Sequence, residues 1–199
     1  MKTSLFATLA SAVIAVSTIP PFAHAAQGDS ISFKMVRSAG AAVCLPTTAR
    51  GTVTISDTGQ AQNMHVEVFN LPASTQFTTF LLQVPKSPFG LAWYQGDVLT
   101  DSKGHGVGDF TGIFSIETFI QAPGVASAPK IFPDDATSNP ATPPVQIYHM
   151  GMWFADPADS QKAGCGDTVT AFDGDHEAGI QVLNTSNYPD NHGPLLNLD

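Results

Sequence analysis

Six histidines, 17 carboxylates and two cysteines are the side chains of this 199-residue chain best suited to chemistry. The densest group is Asp173-Gly174-Asp175-His176-Glu177, followed at a distance by Asp190-Asn191-His192. Spaced carboxylates in a loop suit a hard cation such as calcium, and an imidazole among them would suit zinc or manganese. Asp173, Asp175, His176 and His192 are therefore the candidate metal ligands. Neither run matches the EF-hand loop or a His-Glu-x-x-His helix. Asp-Gly-Asp is also ordinary hairpin-turn chemistry, with no ion required.

A second pair of candidates lies inside apolar runs. Glu117 sits in Ile113-Phe114-Ser115-Ile116-Glu117-Thr118-Phe119, and His149 in Gln146-Ile147-Tyr148-His149-Met150-Gly151-Met152-Trp153. A buried carboxylate has a raised pKa and could work with an imidazole as an acid/base couple. Equally, either residue can be a hydrogen-bonded core group or can face solvent. Trp93, Tyr94 and Trp153 could form an aromatic platform for sugar rings or for a protein partner. No Gly-x-Ser-x-Gly, no Cys-His setting and no phosphate-cradling glycine loop is present, so nucleophilic and nucleotide chemistry lack a motif. Asn184-Thr185-Ser186 is a glycosylation sequon.

These residues need elements to hold them. The first 25 residues have the form of an export signal: Lys2, an apolar core from Leu5 to Ile19, and the small-x-small site Ala23-His24-Ala25. Cleavage near Ala25 predicts a secreted or periplasmic mature chain of residues 26–199, with no membrane span. Losing Lys2 would take the formal charge from −9 to −10. So acidic a surface argues against nucleic acid, whose binding rests on neutralising phosphates. In an oxidising compartment Cys44 and Cys165 are expected to form a disulfide.

The remaining pattern is that of strands. Thr52-Val53-Thr54-Ile55 alternates, Asp57-Thr58-Gly59 turns, and Met64-His65-Val66-Glu67-Val68 alternates again, which predicts an antiparallel hairpin. Val53, Ile55, Met64, Val66 and Val68 would share its inner face, and Phe77–Val84 would form a more central strand. Ser30–Val36 predicts a first strand, placed at an edge on account of Lys34. Further strands are expected over Leu91–Leu99, Val107–Phe119 and Val145–Phe154, with a last hairpin from Thr168–Phe172 and Ala178–Asn184. Residues 121–144, with six prolines, predict a surface excursion. One short helix is expected near residues 157–163, with Asp156 as N-cap, Pro157 in its first turn and Gly164 ending it. The fold class is all-β, a single antiparallel β-sandwich of the Ig-like or superoxide-dismutase-like kind.

Gly51-Thr52-Val53-Thr54-Ile55 followed by Asn70-Leu71-Pro72 resembles the opening strands of Cu/Zn superoxide dismutase-like and chordin-type (CHRD) sandwiches. The resemblance, over Gly51 to Gln83, implies a sandwich scaffold. Those families place a His-x-His soon after the Leu-Pro. This chain has Phe80-Leu81-Leu82-Gln83 there, so the resemblance does not bring copper chemistry with it. The expected function is that of a secreted, non-catalytic β-sandwich that needs no cofactor and binds a protein or glycan partner or an envelope component. The alternative is a metal-binding protein or metal-dependent enzyme built on Asp173, Asp175, His176 and His192, and a third reading is acid/base catalysis by Glu117 with His149.

Overall fold

The structure is a computed structural model that describes residues 30–114, 119–120, 145–170 and 177–198. Its strands are β1 (Ser30–Arg37), β2 (Arg50–Asp57), β3 (Gln62–Phe69), β4 (Gln76–Leu82), β5 (Ala92–Leu99), β6 (Gly106–Gly112), β7 (Phe119–Ile120), β8 (Val145–Gln146), β9 (His149–Phe154) and β10 (Gln181–Asn184). Eight of them form one antiparallel sheet in the order β5-β4-β9-β10-β1-β2-β3-β6, and β7 pairs with β8 separately. A bridge between Thr100 and Gly106 brings the two ends of the sheet together. The sheet is therefore nearly closed, a flattened barrel whose two halves face each other like the layers of a sandwich. Strands β4, β5 and β6 follow one another in chain and in space, and β3 returns beside β6. This is a Greek-key arrangement.

Alternation explains the interior. Val53, Ile55, Met64, Val66 and Val68 are all buried, as the period-2 pattern requires, and they meet Phe33 and Met35 of β1. From the opposite half, Phe77 and Leu81 of β4 join Met150, Met152 and Phe154 of β9 in the same core. Register places Phe77 opposite Phe154 and Leu81 opposite Met150, so the inward residues of neighbouring strands stack in layers. Both faces of β9 are buried, which is why His-Met-Gly-Met-Trp-Phe reads as a continuous apolar run instead of alternating.

Several expectations change in detail. The first strand is not an edge: β1 lies between β10 and β2. Lys34 is exposed because it points to the solvent face, opposite Thr52, and not because it lacks a neighbour strand. Strand β6 stops at Gly112. The Val145–Phe154 run is two strands, broken at Ile147-Tyr148. Of the last hairpin, β10 and a single Thr170–Ala178 bridge are seen. The helix α1 (Pro157–Lys162) forms as expected, with the Asp156 carboxylate accepting the Ala158 N–H at 2.7 Å. The Pro-rich stretch 121–144 lies outside the described residues.

Two turns hold the barrel ends. Between β5 and β6, the Asp101 carboxylate accepts the N–H groups of Lys103 (2.7 Å) and His105 (3.0 Å), and these bonds hold its pKa below the usual carboxylate value. Gly104 follows with φ +74°, and a Cβ there would stand 2.0 Å from the Leu71 carbonyl oxygen. Only glycine fits. On the other side, Cys44 and Cys165 form the expected disulfide, with Cα atoms 5.0 Å apart. It ties the short 3-10 turn after β1 (Gly40–Val43) to the segment following α1.

Candidate functional site

Strands β4, β9 and β10 have a second buried surface on the outside of the barrel. Register sets Phe80 opposite Gly151, Thr78 opposite Trp153, Gln181 opposite Trp153 and Asn184 opposite Gly151. All of these point away from the core that Phe77, Met152 and Leu183 fill. Gly151 makes the space: a Cβ there would lie 2.5 Å from the Trp153 ring and 2.8 Å from the Gln181 amide nitrogen. The loop between β4 and β5 folds over this surface, held by Val84 N–H to the Phe89 carbonyl at 3.0 Å. Its Phe89 ring meets Trp153 edge-on at 5.1 Å, and Phe80 meets Trp153 at 5.4 Å. The result is a small outer hydrophobic cluster separate from the main core.

Beside that cluster lies a groove of about 400 Å³. It is lined by Lys86, Ser87 and Phe89 of the β4–β5 loop, by Ser38–Gly40, and by Thr168 and Thr170. Trp153, Gln181 and Asn184 form the floor. The two carboxamides are bonded in series: Asn184 donates to Gln181 Oε1 (2.8 Å), Gln181 donates to the Pro85 carbonyl (3.2 Å), and Asn184 Oδ1 accepts the Ser186 N–H (3.0 Å). A carboxamide has two N–H donors and an oxygen with two acceptor sites. Each of these two amides therefore keeps one donor and one acceptor position beyond the bonds named. Among the described residues, no carboxylate lines the groove. The charged residue among those lining it is Lys86, which pairs with Asp190 at 3.2 Å.

His149 is fully buried and its chemistry is spoken for. Its Nε2 lies 3.2 Å from the Asp190 carbonyl oxygen, which can only accept, so Nε2 carries the proton. The Thr185 hydroxyl then donates to Nδ1 at 2.9 Å while accepting the Met150 N–H at 3.1 Å. Burial lowers the pKa of this imidazole, and the carbonyls of Asp190 and Pro189 oppose the effect only in part. It is a neutral structural hydrogen-bonder that ties the tail to β9. Glu117, its expected partner, lies outside the described residues.

The other candidates are dispersed. Asp173, Asp175 and His176 lie outside the described residues, while His192 is exposed. Among the described residues, no group of three or more His, Cys, Asp or Glu could hold a metal ion. His65 of β3 faces Asp109 of β6 at 2.7 Å as a cross-strand surface pair, and His105, in the turn before β6, faces Glu67 of β3 at 2.9 Å. The three aromatics do not share one platform. Trp153 is 1% exposed, against 56% for Trp93 and 47% for Tyr94. A bulge in β5 sets Tyr94 opposite Phe80 and Trp93 opposite Leu81, so the two neighbours point to opposite faces. The Asn184 sequon is closed as well: the residue is 2% exposed, and its amide is tied to Gln181 and Ser186 through one donor and one acceptor position.

Reading the sequence missed Gln181, Asn184 and Phe89. Two amides in Gln181-Val182-Leu183-Asn184, three apart in an otherwise apolar strand, were the available signal. Their shared face depends on the β10 irregularity between Gln181 and Leu183. No protein-family model matches this chain, and no curated protein matches it. What fold and site define is a class: an all-β, disulfide-stapled, nearly closed sheet with a polar groove on its outer surface. Among the described residues, no helix is long and apolar enough to cross a membrane.

Proposed function

We propose that the protein is an exported, non-catalytic binding module whose ligand site is the groove over β9 and β10. The observation that carries this reading is the contrast between two sets of polar groups. His149 is committed to internal hydrogen bonds, and His65 and His105 are taken up in surface pairs. The Gln181 and Asn184 carboxamides, by contrast, retain hydrogen-bonding capacity at the floor of a concave groove beside the Phe89 ring. Ligand sites combine a volume of about 300–1,000 Å³ with apolar contacts, here Phe89, Trp153 and Ile180, and a few convergent polar groups. The groove also rests on a rigid base, since β9 and β10 are paired on both sides. Export fits the cystine, which persists in oxidising compartments. On this reading the resemblance to dismutase-like and chordin-type sandwiches is one of scaffold alone.

A fragment screen on the mature chain, read by Trp153 fluorescence and thermal shift, tests the reading. A ligand of the folded state raises the melting temperature by mass action. Compounds that do so, and that lose the effect when Phe89 is replaced by Ala, support a binding groove. Stoichiometric metal in the purified protein, lost on His176→Ala, would instead favour the metal-dependent alternative.

A further inference from the structure

Resting on the binding-module reading, we infer that the groove takes a neutral, polyhydroxylated ligand, one or two rings of a saccharide. The donor and acceptor inventory leads to this class. Gln181 and Asn184 each offer one N–H and one acceptor site beyond their internal bonds, side by side on one face. A carboxylate or phosphate only accepts and an ammonium only donates, so either would leave half of these positions unmet. A hydroxyl both donates and accepts and can satisfy a carboxamide on both counts. Buried polar positions left unpaired cost binding energy, so this complementarity selects strongly for hydroxyl-bearing ligands.

Shape and charge agree. Phe89 is half-buried at the groove wall and braced from behind by Trp153, which gives an apolar surface that the C–H face of a pyranose can lie against. Among the described lining residues the only charged group is Lys86, which is already engaged by Asp190. A peptide is disfavoured by topology. Extended peptides gain much of their affinity by adding to a free strand edge, and the strands of this floor have none: β10 lies between β9 and β1, and β9 between β4 and β10.

The test is an NMR titration of the whole mature protein with cellobiose and diacetylchitobiose. Digalacturonic acid and acetyl-alanine methylamide serve as acidic and peptide-like comparisons. The expected result is saturable movement of the Gln181 and Asn184 side-chain N–H₂ signals and the Trp153 indole N–H with at least one neutral disaccharide. Phe89→Ala should weaken it at least about tenfold, and Lys103→Ala, in the exposed β5–β6 turn away from the groove, should leave it within about twofold. The wild-type shifts report on the groove even if the Phe89 variant folds poorly. Movement of these signals with the peptide-like probe alone would overturn the saccharide assignment and leave the binding reading standing. So would a response to the acid alone that Lys86→Ala abolishes. If none of the four probes moves the groove signals, the saccharide assignment falls. If the fragment screen is equally silent, the binding reading falls with it.

Discussion

Gln181 stands directly opposite Trp153 on the outer face of the β9–β10 pair, and Gly151 leaves the space that both occupy. This juxtaposition creates the outer layer, because the indole then has Phe80 on one side and Phe89 on the other. The two tryptophans should consequently behave in opposite ways. Trp153→Ala is expected to cost about 3–5 kcal/mol, the range for a large buried ring. Trp93→Ala, at an exposed site, should cost less than about 1 kcal/mol. Urea unfolding of both variants measures the difference; equal losses would place Trp93 in a packed interior.

Cys44 and Cys165 close a loop across a sequence separation of 121 residues. In the chain-entropy description, opening so long a loop removes on the order of 4–5 kcal/mol. The Cys44→Ser/Cys165→Ser double variant should unfold at a correspondingly lower urea concentration, with no change in the midpoint on adding reductant. Wild-type protein whose midpoint ignores reductant under unfolding conditions would contradict a structural role for the cystine.

Gly104 and Gly59 both have positive φ, but they differ in surroundings. A Cβ at Gly104 would meet the Leu71 carbonyl oxygen, whereas a Cβ at Gly59 would meet nothing within 4 Å. Gly59→Ala should cost about 1–2 kcal/mol, the backbone penalty alone. Gly104→Ala should cost clearly more, because the β5–β6 turn must also move away from Leu71. A Gly104 variant no less stable than the Gly59 variant would show that this approach is looser than described.

Burial lowers the pKa of His149 from the ordinary 6.5. In the unfolded chain the imidazole takes up its proton as pH falls through that value, while in the folded protein it does so only at lower pH. Between the two points the unfolded state holds more protons, so stability declines as pH falls, by up to about 1.4 kcal/mol per pH unit. Well above pH 6.5, where the imidazole is neutral in both states, this group contributes no slope. Subtracting the stability profile of His149→Gln from that of the wild type isolates the effect. A difference curve that is flat below pH 6 or slopes the other way would refute the neutral assignment.

Thr79 points into the core between Phe77 and Leu81, and its hydroxyl has no hydrogen-bond partner among the described residues. Replacing it with the near-isosteric valine removes a buried polar group without opening a cavity. Thr79→Val should therefore be neutral or stabilising by about 1 kcal/mol, as read by thermal unfolding. A clear loss of stability would reveal a bonded hydroxyl.

What sequence alone determined is whatever depends on near neighbours. Alternation over Thr52–Val68 placed five side chains on one face because the strand period is two, whatever lies across from it. The Asp156-Pro157 start and Gly164 end of α1 were legible for the same reason, since a cap acts within a turn of its own chain. The cystine was legible by arithmetic, with two cysteines and one pairing. Tertiary structure decided everything that depends on which strands meet. It put β1 in the interior of the sheet, buried Trp153 and Asn184, and separated Trp93 from Tyr94. It also joined Gln181 to Asn184 at a groove that neither residue's local sequence implies. Strand pairing across more than a hundred residues selects which outer faces are covered, and no periodicity within a strand encodes that choice.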